Sequence, residues 1–278
     1  MAPARKKASK SRHQVWETSV SRVENSNVFI RGYNILDLMG RLPFSAATYL
    51  VVRGELPTPA QTRVVDTVLS SILDYSLGKA GTVAARFNLS GNPQPVAAIA
   101  TSILGIGEYT IAPESAGRFI AEGYSRYRKS GQKLDKFAAA MAAELHANRT
   151  RIPGFGHFDF HKVDPRAEVL RRVAQEEGQW GEICDWYDAL HRAYIKKAGK
   201  PEMCINLVGM IAAVLSQLRF SPAEMTGLTV ISTIPGVIAH ITEELASGAK
   251  LRGLPSRDII QRDKRRNLKT DLKTAGWD

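Results

Sequence analysis

Residues 151–170 read RIPGFGHFDFHKVDPRAEVL, which packs two histidines, two aspartates and three basic side chains around a glycine turn. An imidazole at His157 can give or take a proton near neutral pH. Nine residues on, Arg166 offers a planar fork of donors suited to a carboxylate. Gly154 and Gly156 let the backbone turn tightly and approach a ligand closely. Read alone, the run also fits a turn that only reverses the chain, with a histidine that packs rather than reacts. The only cysteines, Cys184 and Cys204, have neither metal-ligand nor disulfide spacing, so a reduced, cytoplasmic setting and no metal are expected.

The elements that must hold these groups are helical. Apolar positions recur at helical spacing in PFSAATYLVVRGELPT (43–58), with Ser45 as the expected N-cap and a stop before Pro57. Thr58 followed by Pro59 marks a second helix start. Ser221, Pro222 and Glu224 form a capping box for a third, in which Pro235 should produce a kink. VAAIATSILGIG (96–107) and LDKFAAAMAAELHAN (134–148) read as further helices, and NVFIRGYN (27–34) as a short extended segment turning at Gly32. INLVGMIAAVLSQL (205–218) is too short and too interrupted to span a bilayer and reads as a core helix, so no membrane partner is expected. Sustained period-2 alternation is absent, and a mainly α fold follows.

The net charge of +11 is concentrated at the ends. Residues 1–13 carry five basic groups, residues 251–278 carry eight basic and four acidic ones, and residues 14–250 hold only +2. Basic ends without an interleaved aromatic–basic patch do not make a nucleic-acid surface, so nucleic acid is not an expected partner. The first residues, MAPARKKASKSRHQ, contain no apolar run of the kind a secretory signal needs.

Three fragments, in one order, carry a family resemblance. RGYNILDLMGRLPFSAATYLVVRGELPT (31–58) resembles the opening signature of citrate synthases. PGFGHFDFHKVDPRA (153–167) resembles their Gly-Phe-Gly-His…Asp-Pro-Arg motif, and VIAHITEEL (237–245) their Ile-Ala-His helix. The chain's shortness resembles the citryl-CoA lyase branch, including the citrate-synthase-like module of ATP-citrate lyase. The resemblance implies a mainly α, homodimeric, citrate-synthase-like fold: a basic flexible tail (1–14), a large helical domain (15–111 and 220–260), a smaller one (112–219) and a basic C-terminal tail (261–278). It also implies an acyl-CoA ligand, with a coenzyme A thioester as substrate or product. Pro153, Gly154, Phe155, Gly156 and His161 would lie against coenzyme A. His157 would donate to the electrophile's carbonyl, and Arg166 would grip a carboxylate.

Other positions depart from the family pattern. Tyr75 stands where a substrate-binding histidine is usual, and Thr110 where a histidine stabilises the enolate. Val208 replaces the aspartate base, and Thr233 replaces a second carboxylate-binding arginine. Tyr75, Thr110 and His157 are therefore the catalytic candidates, with Arg166 and Thr233 as substrate contacts. Tyr109, Glu108, Glu114, Asp159 and His161 are further replacements, and each also reads as packing or surface. The expected activity makes or breaks a carbon–carbon bond in a CoA thioester other than in ordinary citrate synthesis. The alternative is an inactive CoA-binding scaffold. Valine cannot take a proton, and threonine cannot replace a positioned imidazole at a developing oxyanion. Acetyl-CoA and oxaloacetate should therefore release thiol far below about 1 per second; a spectrophotometric rate at that level would show that another group serves as base.

Overall fold

The computed structural model describes residues 16–107, 109–248 and 251–277. The expected tail at 1–14 and the candidate Glu108 lie outside them. A three-stranded antiparallel meander comes first: β1 (Ser21–Glu24), β2 (Asn27–Ile30) and β3 (Tyr33–Asn34), with Val23 opposite Val28 and Phe29 opposite Asn34. Both turns are two residues long with positive φ throughout, Asn25–Ser26 and Arg31–Gly32, which matches the right-handed twist of the strands they join. β1, with every residue exposed, has no apolar alternation and left no trace in the sequence pattern.

Helices then follow almost without interruption. After α1 (Ile35–Leu38) come α2 (Phe44–Arg53), α3 (Pro59–Ser70), α4 (Ala80–Gly91) and α5 (Pro95–Leu104). The second half holds α6 (Glu114–Ser130), α7 (Leu134–Ala147), α8 (Pro165–Glu176), α9 (Glu182–Ala198), α10 (Leu207–Gln217) and α11 (Pro222–Ala246), with α12 (Leu268–Thr274) near the end. Thr58 caps α3 and Ser221 caps α11, each through a complete capping box. Ser45 does not cap α2: the helix starts two residues earlier, with Pro43 at the cap position, and Ser45 is buried with its hydroxyl unpartnered. A proline fixes the extended entry that a capping serine would otherwise provide. The expected C-terminal tail is exposed almost throughout, yet α12 forms in it behind Asn267 as N-cap.

α10 is apolar all round and sits at the centre, with Met210 to Leu215 buried without exception. Residues of α2, α3 and α6 to α9, with the first turns of α11, complete this main core. A second, smaller cluster joins Ala85 and Leu89 of α4 and Ala98 of α5 to Val237 and Ile241 of α11. α11 thus spans both clusters. It is long and apolar enough to cross a membrane by length and composition, and here it packs against α3 to α6 and α10. Pro235 does not end it; the Gly236 amide instead donates to Leu73 O at 2.7 Å, outside the helix.

α6 approaches its neighbours through glycines. A Cβ on Gly123 would lie 2.5 and 2.6 Å from ring atoms of buried Trp186, whereas one on Gly227 of α11 would meet nothing within 4 Å. Helix propensity favours alanine at both sites. Gly227→Ala should therefore stabilise by up to about 1 kcal/mol, while Gly123→Ala should destabilise by about 1–3 kcal/mol through overpacking. Urea midpoints of the two variants should move in opposite directions.

Candidate active site

The Gly-Phe-Gly turn is built into the core by α9 and by the strand-like segment before α10. Gly154 and Gly156 have φ of +86° and +82°. A Cβ on Gly154 would lie 2.4 Å from the Tyr187 hydroxyl and 2.5 Å from Gly209 Cα, so turn and α10 touch backbone to backbone. Gly156 is different: its Cβ would meet only Met203 Cγ at 3.8 Å, leaving open space on that side. Most of the turn's backbone groups are satisfied internally. Tyr187 donates to Pro153 O (2.9 Å), the Asn206 amide to Gly154 O (2.9 Å), Asn206 Nδ2 to Gly156 O (2.7 Å), and the Gly156 amide to Cys204 O (2.7 Å). Phe155 is a core anchor, with its ring against Tyr187, His191 and Tyr194 at centroid distances of 5.2, 4.9 and 6.1 Å.

His191 and Tyr187 escaped the sequence reading, although their spacing with Tyr194 on one face of α9 was visible in it. His191 Nε2 lies 2.7 Å from Met203 O, so it carries the ring proton as donor. Burial lowers the His191 pKa, with the Met203 carbonyl acting in the opposite direction. Burial likewise pushes the Tyr187 hydroxyl far up, which keeps it a neutral donor.

Beyond the turn, His157, Phe160 and Arg166 stack. The Phe160 ring lies 4.7 Å from the His157 ring and has the Arg166 guanidinium 4.8 Å above its centroid. His157 Nδ1 accepts from the amides of Asp159 (3.0 Å) and Phe160 (3.3 Å), which places the proton of the neutral ring on Nε2. His157 is thereby set as a hydrogen-bond donor. Asp164 caps α8, is 1 % exposed, and accepts from Arg166 Nε (3.1 Å), Arg166 Nη2 (2.9 Å) and the Leu207 amide (3.0 Å). Burial raises its pKa, but the bonds from Arg166 and Leu207 outweigh that and hold it below the usual carboxylate range.

Tyr75 and Thr110, well separated in sequence, are brought together. Burial raises the Tyr75 pKa, and the nearby Thr110 side chain acts in the opposite direction. Thr110 Oγ1 also closes its own turn, accepting from Gly107 N–H (2.6 Å) and donating to Gly107 O (2.9 Å). Thr233 is fully buried and its hydroxyl donates to Val230 O at 2.8 Å, a packing arrangement within α11 that offers nothing to a ligand. Val208 is half-buried in the first turn of α10. His161, Asp159 and Tyr109 are exposed, and Glu114 pairs with Arg118 on the surface of α6. Among the described residues no group of three or more His, Cys, Asp or Glu could hold a metal.

A cleft of about 350 Å³ opens beside the turn. Phe155 and Met203 line it together with Arg149, Arg151, Lys200 and His146, and among the described residues no acidic side chain does. An anion is the natural occupant of such a lining.

Asp164→Asn should cost about 2 kcal/mol at neutral pH, the scale of hydrogen bonds to a charged group. Because the folded-state pKa is depressed, this contribution is present above the ordinary aspartate value of about 3.9. It is lost as pH falls through the folded-state value. The gap between the two proteins' urea midpoints should close over that acid range.

The family model described as citrate synthase, C-terminal domain, matches residues 11–110 and 58–254. The structure of citryl-CoA lyase from Hydrogenobacter thermophilus is 31% identical with a TM-score of 0.85, over 94% of this chain and 100% of that one. ATP citrate lyase from Methanothrix soehngenii, in complex with citrate and coenzyme A, shares the fold at 18% identity and TM-score 0.76, over 92% of this chain and 43% of its own. Citrate synthase from Thermotoga maritima MSB8 shares it at 16% identity and TM-score 0.55, over 92% and 96%. With a family model matching most of its length, the chain belongs to the citrate synthase family.

Proposed function

We propose that this protein makes or breaks a carbon–carbon bond next to a coenzyme A thioester, in the manner of a citryl-CoA lyase. The observation that carries the reading is a basic cleft lying against a Gly-Phe-Gly turn whose next residue is a histidine poised to donate. The phosphates of coenzyme A suit Arg149, Arg151 and Lys200, and the open side of Gly156 leaves room for the ligand to pass close to the backbone. Likeness over the whole length to a citryl-CoA lyase supports the same class of reaction.

In the cleavage direction, the hydroxyl of a 3-hydroxyacyl thioester loses its proton to solvent water as the adjacent carbon–carbon bond breaks. A carbonyl compound and the enolate of a shorter thioester result, and the enolate then takes a proton at carbon from solvent water. His157 Nε2–H donates to the oxygen that becomes the carbonyl. Arg166 uses Nε and Nη2 on Asp164, which leaves its remaining donors for a substrate carboxylate. Tyr75, kept neutral by burial, is a donor beside Thr110. Val208 cannot move the proton at the α-carbon as an aspartate would, which sets the reaction apart from ordinary citrate synthesis. The reading includes a homodimer of two-domain protomers (15–111 with 220–260, and 112–219) in the cytoplasm. The exposed apolar residues Val83 and Phe87 of α4, Val96 and Leu104 of α5 and Ile238 of α11 offer a dimer surface.

Calorimetric titration with CoA should show binding that Gly156→Val weakens at least tenfold, since φ of +82° strains a β-branched residue. A panel of 3-hydroxyacyl-CoA esters should reveal one that is cleaved, with turnover abolished by His157→Ala. Binding without turnover of any ester would favour the inactive scaffold, and unchanged affinity in Gly156→Val would move the site elsewhere.

A further inference from the structure

The middle of α11 carries three residues spaced four apart, Ser232, Gly236 and His240, and all three hold one short piece of chain. Ser232 Oγ donates to Leu69 O at 2.8 Å. The Gly236 amide donates to Leu73 O at 2.7 Å, and a Cβ on Gly236 would fall 2.5 Å from Asp74 Cα. His240 Nε2 lies 3.1 Å from Asp74 Oδ1. On the other edge of the ring, Nδ1 faces Glu243 Oε2 at 3.6 Å, a carboxylate that Arg86 of α4 also approaches at 3.9 Å. Pro235 accounts for the outward bond of the Gly236 amide, since its ring opens the helical ladder at that turn and the next N–H finds its acceptor outside the helix.

The clamped segment is strained. Leu73 and Ser76 have φ of +49° and +77°, the left-handed region that costs energy for residues with a Cβ. Such conformations persist where neighbours over-determine them. Tyr75 sits between the two and is half-buried. Ser232 and Gly236 fix the chain only as far as residue 73 by hydrogen bonds; the contact nearest to Tyr75 is that of His240 with Asp74. The geometry points to His240 as a positioning residue that, through Asp74, fixes the strained turn carrying half-buried Tyr75. The functional weight of this rests on the reading of Tyr75 and Thr110 as part of the acyl site.

The test reads Tyr75 itself. Tyrosinate absorbance is followed against pH, and each protein is subtracted from its Tyr75→Phe counterpart, so that only Tyr75 contributes. In the unmodified protein Tyr75 should ionise above the ordinary tyrosine value, because it is partly buried. In His240→Ala, and separately in Asp74→Ala, its ionisation should shift down toward that ordinary value. His240→Gln, which keeps a donor at similar reach, should restore the high value, and the double variant His240→Ala/Asp74→Ala should shift no further than either single one. An unchanged Tyr75 titration in both single variants, or failure of His240→Gln to restore it, would overturn the assignment. Should His240→Ala not fold, the half-exposed Asp74 site decides the matter alone. Turnover of a CoA ester unaffected by Tyr75→Phe would overturn the acyl-site reading of Tyr75, while the titration would still decide whether His240 positions it.

Discussion

The buried carboxylate of Asp164 is the joint on which the candidate site depends. It caps α8, holds the Nε/Nη2 edge of the Arg166 guanidinium and receives the Leu207 amide at the start of α10. One side chain therefore fixes the arginine to the central helix of the core. A buried charge is costly unless paired and hydrogen-bonded, and here every donor around it comes from the two elements it joins. The Phe160 ring touches both the fixed guanidinium and the His157 ring, so a chain of contacts links the imidazole to the carboxylate.

The glycines of the motif serve two different ends. Gly154 is required by the core, because Tyr187 and Gly209 occupy the space a side chain would need. Gly156 has the same backbone sign but open space, so only its conformation and whatever approaches from outside demand glycine. Reading both as ligand contacts from sequence merged a packing constraint with a binding one. The two are separated only by knowing what lies across the turn, and those neighbours come from α9 and α10, far along the chain.

What was legible follows the same division. Helix starts at Thr58 and Ser221 could be read because capping is settled within four residues. The all-round apolar run of α10 announced a central helix, and the motif spacing announced the family. Ser45 failed as a cap because Pro43 had already set the entry to α2, and β1 was invisible because nothing on it is buried. His191 could not be singled out: its role comes from Phe155 on one side and the Met203 carbonyl on the other. The basic cleft brings Lys200, just past α9, to Arg149 and Arg151 ahead of the turn, and no local pattern joins the two segments.

The substituted positions form a set rather than separate losses. Thr233 has no exposed surface, and its donor is spent on its own helix. An arginine there would place a cation in the packing between α11 and its neighbours, where an unpaired charge is expensive. Tyr75 is likewise adapted to partial burial: its hydroxyl stays neutral, and an imidazolium in its place would bring charge without a matching carboxylate. Val208 stands half-buried on the α10 turn whose first amide, that of Leu207, is held by Asp164. An aspartate at 208 would add a carboxylate to a helix that carries no basic side chain of its own. Restoring the family's usual groups one at a time would therefore work against the electrostatics of this pocket. The surviving His157 and Arg166 are the two whose surroundings, an amide-fixed ring and a carboxylate-fixed fork, already suit them.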